Sequence, residues 1–256
     1  MTHRFPLWHY AGRATALAFR AVPERFRYPL AVRLAKTLQP VMSRTTAHRE
    51  RLRSGVESSF DVVLDFVLAM LTRNGTTFTP TLRLIGFEHL DRARANGSGV
   101  LAACAHSMLN AFLLRALYDR GERATIIATI PWIIPGTRET NDTIVNSPSF
   151  MVGIQRRLRA GDVVAAMIDR DDPDERRTER HALGGGEIYI ANALIPVGLA
   201  SGAEVVFLDS RAREDGTIVV TIGAPSDEAR TSAEAITTEL VAFLEARLAE
   251  RTAGLT

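Results

Sequence analysis

The sequence predicts an α/β fold, a mixed and largely parallel sheet flanked by helices, with a helical region ahead of it. Three observations carry that reading. From Thr81 onward, short β-like apolar runs alternate with helical stretches, the pattern of strand and helix units around a buried sheet. Before Thr81, apolar residues recur at helical spacing between prolines. The chain has 256 residues, 46% of them hydrophobic, enough to bury one full core. Residues 1–78 are therefore read as a basic helical region and residues 79–256 as an α/β core with a C-terminal helix, together one structural unit.

In chain order, Leu7, Trp8, Ala11, Thr15, Ala18, Phe19 and Val22 form an amphipathic helix with Arg13 and Arg20 between them. Pro23, Pro29 and Pro40 are expected to cut the next stretch into short helical pieces. A longer helix follows from about Ala47 to Leu71, with Val56, Phe60, Val63, Leu64, Val67 and Leu71 inward, and Asn74-Gly75 ends it. The strand candidates are Thr81 to Ile85, Gly99 to Ala105, Ala124 to Ile130, Asp162 to Ile168, Ala203 to Leu208 and Thr217 to Ile222. Helices are expected over Ser107 to Tyr118, Pro148 to Arg159, Asn192 to Ser201 and Asp227 to about Arg251. No internal repeat or low-complexity tract interrupts this order.

The net charge of +2 conceals an asymmetry. Residues 1–55 hold eleven Lys/Arg against two Asp/Glu, a net +9, so the other 201 residues carry −7. A basic N-terminal part implies an acidic partner. Without stacking aromatics among the basic residues, nucleic acid is disfavoured and an anionic membrane surface preferred. The amphipathic first helix can lie in a membrane interface or pack on the rest of the protein, and both readings stay open here. No apolar run reaches the roughly 18–20 residues of a membrane-spanning helix, and the N-terminal stretch has no clean secretory pattern. A single cysteine, Cys104, excludes an intramolecular disulfide and suits a reducing cytoplasm; it reads as a small core residue. No histidine pair or Cys/His cluster stands at metal-ligand spacing. The expectation is a cytoplasmic protein peripheral to an inner membrane, with no cofactor and no metal.

The sharpest chemical feature is Gly99-Val-Leu-Ala-Ala-Cys-Ala-His106-Ser-Met-Leu-Asn110. An apolar strand delivers a histidine to its C-terminal end just before a helix, where ligand and catalytic groups collect in open α/β sheets. With an unperturbed pKa near 6.5, such a histidine can take a proton at neutral pH. Capping or packing is the bland alternative for a lone histidine there.

Further blocks give that feature a context. Ile85-Gly-Phe-Glu-His-Leu90 precedes the His106 strand. Leu158-Arg-Ala-Gly161-Asp-Val-Val and Ile168-Asp-Arg-Asp171 follow, then Ala193-Leu-Ile-Pro-Val-Gly198-Leu-Ala-Ser-Gly202-Ala-Glu-Val-Val-Phe207. Arg211 to Gly216 and Thr217-Ile-Val-Val-Thr-Ile222-Gly-Ala-Pro225 close the series. In order and spacing, residues 80–225 resemble the lysophospholipid and bacterial lipid A biosynthesis acyltransferase superfamily. The resemblance implies a glycerolipid acyltransferase-like fold. It also implies transfer of a fatty acyl group from acyl carrier protein or coenzyme A to a lipid-like hydroxyl or amine. In that family the histidine opens an H-x-x-x-x-D/E motif whose carboxylate orients and charges the imidazole. Here the fifth residue after His106 is Ala111, a departure from the pattern.

Two substitutes for the missing acid are open. Asn110, one helical turn beyond His106, has an amide oxygen able to accept from the ring, or it only caps or packs. Asp169 and Asp171 end a strand on the same side of a parallel sheet as His106, inside an acidic run that otherwise reads as a solvated loop. The candidate substrate-binding residues are Ser107, Trp132, Arg170, Gly185, Gly186 and Arg211. Arg170, with Arg176, Arg177 and Arg180, can bind phosphate of a carrier or headgroup, or form surface ion pairs. Gly184-Gly185-Gly186 offers free amides for an oxyanion or phosphate, or simply a turn. Trp132, in the apolar Ile130 to Pro135 segment, lines an acyl tunnel, dips into a membrane or packs over the sheet. A non-catalytic homologue that binds lipid or partners an active enzyme, and a thioester hydrolase, remain the alternatives.

Overall fold

A computed structural model describes residues 7–44, 59–128, 133–137, 139–145, 149–169, 177–184, 186–213 and 215–253. Three helices come first: α1 (Leu7–Ala21), α2 (Glu24–Met42) and α3 (Ser59–Arg73). They are followed by β1 (Thr81–Ile85), α4 (Phe87–Ala95), β2 (Val100–Cys104), a 3₁₀ turn (Met108–Asn110), α5 (Ala111–Asp119), β3 (Ala124–Ala128), β4 (Asp142–Val145) and α6 (Phe150–Arg159). The chain continues through β5 (Val163–Met167), β6 (Thr178–Leu183), β7 (Gly186–Ala191), α7 (Leu194–Ala200), β8 (Glu204–Ala212), β9 (Thr217–Gly223) and α8 (Ala233–Ala253).

Seven strands form one sheet in the order β1-β9-β8-β2-β5-β3-β4. Every pair in it is parallel except β8 with β9, which form the hairpin that turns at Asp215-Gly216. The central strand β2, Val-Leu-Ala-Ala-Cys, is buried at all five positions, as a parallel strand covered on both faces must be. Its alternate residues feed two cores. Val100, Ala102 and Cys104 join one with the side chains of α1 to α5, including Phe19, Tyr28, Leu64, Leu90 and Leu117. Leu101, Ala103 and Ala105 join the other with α6, α7, α8 and the β6–β7 hairpin. The molecule is thus helices on sheet on helices.

The N-terminal helices belong to this packing. Ala16 and Phe19 of α1 are buried in the first core, which settles that part of the amphipathic stripe as a packing face; the side chains of Leu7, Trp8 and Ala11 lie outside the described residues. Pro23 separates α1 from α2, whose N-terminal cap it forms, but the other two prolines do not divide the following stretch. Pro29 and Pro40 both lie inside the single helix α2, where each removes one backbone hydrogen bond. Burial of Tyr28, Ala31, Val32 and Ala35 against α3 outweighs that loss. The expected start of the next helix, near Ala47, lies outside the described residues; its end is as the sequence implied. Gly75, at φ 78°, lets Thr76 N–H reach the Leu71 carbonyl at 3.0 Å and Gly75 N–H the Thr72 carbonyl at 2.8 Å, a Schellman closure.

Four elements go beyond the sequence reading: α4, β4 and the hairpin of β6 and β7. The hairpin was hidden because Thr-Glu-Arg-His-Ala-Leu is polar, yet Gly184 after β6 takes φ 57°, a left-handed conformation that favours glycine.

Gly99 fixes how β2 enters the sheet. A Cβ there would lie 2.1 Å from the Leu158 carbonyl oxygen at the end of α6, a backbone atom that cannot swing away. Gly99→Ala is expected to cost roughly 1–3 kcal/mol, measured by urea denaturation, with unchanged stability excluding the close approach.

Candidate active site

Cys104 ends β2 in register with Met167 of β5 and Leu208 of β8. Two residues further, His106 leaves one strand and Asp169 the other. Period-two alternation puts both side chains on the face of Cys104 and Met167, and the spacing between neighbouring strands brings them together. Asp169 is held from both sides. Ile168 N–H donates to the Cys104 carbonyl at 2.9 Å, Ala191 N–H donates to the Ile168 carbonyl at 2.7 Å, and Asp169 itself forms an antiparallel bridge with Ile190 of the hairpin.

The carboxylate of Asp169 meets the ring. Its Oδ1 accepts from the His106 backbone N–H at 2.7 Å and lies 2.7 Å from His106 Nδ1. A carboxylate oxygen only accepts, so Nδ1 carries a proton toward Asp169. The Asp169 side chain is 13% exposed and that of His106 58%. The acid is sheltered, while more than half of the imidazole side chain's surface is exposed.

Asn110 lies elsewhere. It is 6% exposed, and its Nδ2 donates to the Ala105 carbonyl at 2.8 Å. The amide braces the strand end that carries His106 and leaves orientation of the ring to Asp169. Ser107 opens the 3₁₀ turn: its Oγ accepts from Leu109 N–H at 3.2 Å and reaches Asp65 Oδ2 of α3 at 3.5 Å. Asp65 is fully buried. In the sequence it only interrupts an apolar run, yet it ties the N-terminal helices to the residue after the candidate base.

Below the dyad, on the same face, is a small apolar cleft of about 30 Å³. Cys104, Asn110, Leu114, Ile126, Met167 and Leu208 line it. These residues belong to four strands, the 3₁₀ turn and α5, so no local pattern could gather them. Burial, together with the Asp169 and Asp209 carboxylates, pushes the Cys104 thiol far above its usual range, so Cys104 is an inert wall residue.

The remaining candidates divide. Arg211 stands on the opposite face of the sheet: its Nε donates to Asp209 Oδ2 at 2.7 Å and its Nη1 lies 3.9 Å from Glu250 of α8. Gly186 opens β7 at the tip of the hairpin, four residues from Ile190 and hence about 13 Å along the strand from the Asp169 bridge. Arg180 pairs with Glu187 across that hairpin at 3.3 Å. Trp132, Arg170, Asp171 and Gly185 lie outside the described residues. Among the described residues no cluster of His, Cys, Asp or Glu could hold a metal ion, and no helix is long and apolar enough to cross a membrane. No protein-family model matches the chain, and no curated protein matches its sequence.

Proposed function

We propose that this protein is an acyltransferase that moves a fatty acyl group from a thioester, on acyl carrier protein or coenzyme A, to a lipid-like hydroxyl or amine. The observation that carries the reading is the 2.7 Å contact between Asp169 and His106 Nδ1, beyond the strand ends whose Cys104 and Met167 line an apolar cleft. It supplies from β5 the carboxylate that the resemblance expects at Ala111.

His106 Nε2 takes the proton of the acceptor hydroxyl or amine as its oxygen or nitrogen attacks the thioester carbonyl carbon. Asp169 stabilises the imidazolium that forms. Collapse of the tetrahedral intermediate breaks the carbon–sulfur bond, and the imidazolium returns its proton to the departing sulfur. The Leu114, Ile126 and Met167 walls of the cleft supply apolar surface for the hydrocarbon chain, and the cleft has to widen to seat it.

The reading places the chain on an anionic membrane surface from the cytoplasmic side. Residues 7–44 hold seven Lys/Arg and one Glu, and Leu17, Phe26 and Val41 are 63%, 50% and 64% exposed there. Basic residues beside exposed apolar ones suit an interfacial contact.

One observation favours a second reading. A base as open as His106 also admits water, which would make the protein a thioester hydrolase. Both are tested by incubating the purified protein with a long-chain acyl thioester, with and without a lysophospholipid acceptor, and analysing products by mass spectrometry. Acylated acceptor, with little free fatty acid in its absence, is the expected result. Free acid alone establishes hydrolysis, and no turnover with either sinks both readings.

A further inference from the structure

The outer face of α6 carries charge that the fold does not use. Ile154 and Leu158 are buried and hold the helix on the second core. Val152, Arg156 and Arg159, spaced by four and three residues, share the opposite face, and all three are exposed. Val152 presents an apolar side chain that is 65% exposed. Arg157, between the two arginines, is neutralised by Asp142 at 3.3 Å and Asp162 at 3.1 Å. Arg156 and Arg159 have no acidic partner among the described residues. Unneutralised arginines beside an exposed apolar side chain have the composition of a protein-docking patch. The patch is also placed to serve the dyad. A tight turn at Gly161 joins α6 to β5, on which it packs, so helix and strand run in opposite directions. Val152, in the first turn of α6, is therefore level with the C-terminal end of β5, beyond which Asp169 meets His106, and Arg159 lies about 10 Å further along the helix.

We infer that the face of α6 bearing Val152, Arg156 and Arg159 is the docking surface for an acidic helix of the protein that carries the thioester. The inference rests on the proposed acyl transfer and chooses between its two donors, acyl carrier protein over coenzyme A. Charge and position both favour a protein partner. Helices α6 to α8 cover the sheet face opposite α1 to α5, so a bilayer meeting Leu17, Phe26 and Val41 of α1 and α2 is on the other side of the sheet from these arginines. A phosphate, such as coenzyme A supplies, has no use for Val152. A docked acidic helix uses all three residues: its carboxylates meet Arg156 and Arg159, Val152 anchors it at the level of the dyad, and the flexible arm holding the thioester reaches past the end of β5 to His106. Exposed charges of this kind act mainly on encounter and are screened by salt.

The test compares tetradecanoyl thioesters of acyl carrier protein, coenzyme A and pantetheine on the full chain and on the double variant Arg156→Glu with Arg159→Glu. Binding of the unloaded carrier protein to both is measured by calorimetry. In the variant, KM for the carrier-protein thioester is expected to rise roughly tenfold at unchanged kcat, while KM for the two small thioesters stays within about twofold. The difference between native and variant shrinks as salt is raised. If the double variant does not fold, Arg156→Ala with Arg159→Ala replaces it, with a smaller rise expected. An unchanged KM for the carrier-protein thioester overturns the inference, as does a rise of similar size with coenzyme A, which would make the pair a phosphate site, or with pantetheine, which would mark a disturbed fold. Transfer from the carrier protein that ignores the substitutions removes the inference and keeps the transferase reading. Carrier binding that the substitutions abolish, without transfer from any thioester, does the reverse.

Discussion

Asp169→Asn should lower acyl transfer roughly 10²- to 10⁴-fold while leaving the fold intact. In a serine protease the equivalent replacement costs about 10⁴, much of it because the amide holds the wrong tautomer. The geometry here differs in one respect. A single oxygen of Asp169 serves both the His106 backbone N–H and Nδ1, so asparagine can keep its own oxygen in that place and preserve the tautomer. What it cannot keep is the charge that stabilises the imidazolium. The lower end of the range follows if tautomer is retained and the upper end if it is lost. His106→Ala sets the floor, and Asp169→Ala, which also leaves the His106 N–H without its acceptor, should fall close to it. The double variant His106→Ala with Asp169→Asn should be no slower than His106→Ala alone, since the two residues act as a unit. Turnover of Asp169→Asn within about threefold of the native rate, with thermal unfolding unchanged, would show that the carboxylate does not assist the base.

How much of this site the sequence made legible depends on where the information resides. The apolar run ending at His106 is local, and so is the rule that parallel strands present their C-terminal ends together; both survive translation into coordinates. The choice among Asn110, Asp169 and Asp171 is not local. It depends on the register Cys104↔Met167, which places Asp169 level with His106 and on the same side of the pleat. A shift of one residue would have turned the carboxylate to the other face. Arg211 shows the same limit. Its strand and its closing hairpin were readable, but only pairing of β8 with β2 reveals that it sits with Asp209 across the sheet from the candidate base. The prolines of α2 misled for another reason. A local rule about broken hydrogen bonds met a tertiary contact, the burial of Tyr28, Ala31, Val32 and Ala35, that outweighs it.

Ala111→Asp should destabilise the protein by about 3 kcal/mol or more and suppress acyl transfer, although it rebuilds the acid that the resemblance expects. The resemblance taken alone predicts the opposite, a gain in activity. Geometry decides between them. Ala111 is 6% exposed and lines the apolar cleft, while Nδ1 of His106 already has its carboxylate at 2.7 Å. A second carboxylate would gain no proton to accept from Nδ1, and its charge would be desolvated where an acyl chain has to lie. Burial would raise the pKa of the new acid in the folded state above its unfolded value of about 3.9. The folded protein would then bind more protons than the unfolded one above roughly pH 4, so the loss of stability should grow as pH rises from there toward neutrality. Urea denaturation at about pH 4.5 and 7.5 measures this directly. A variant as stable as the native protein at the higher pH, with faster transfer, would mean that position 111 faces the ring and that Asp169 is not the acid of the dyad.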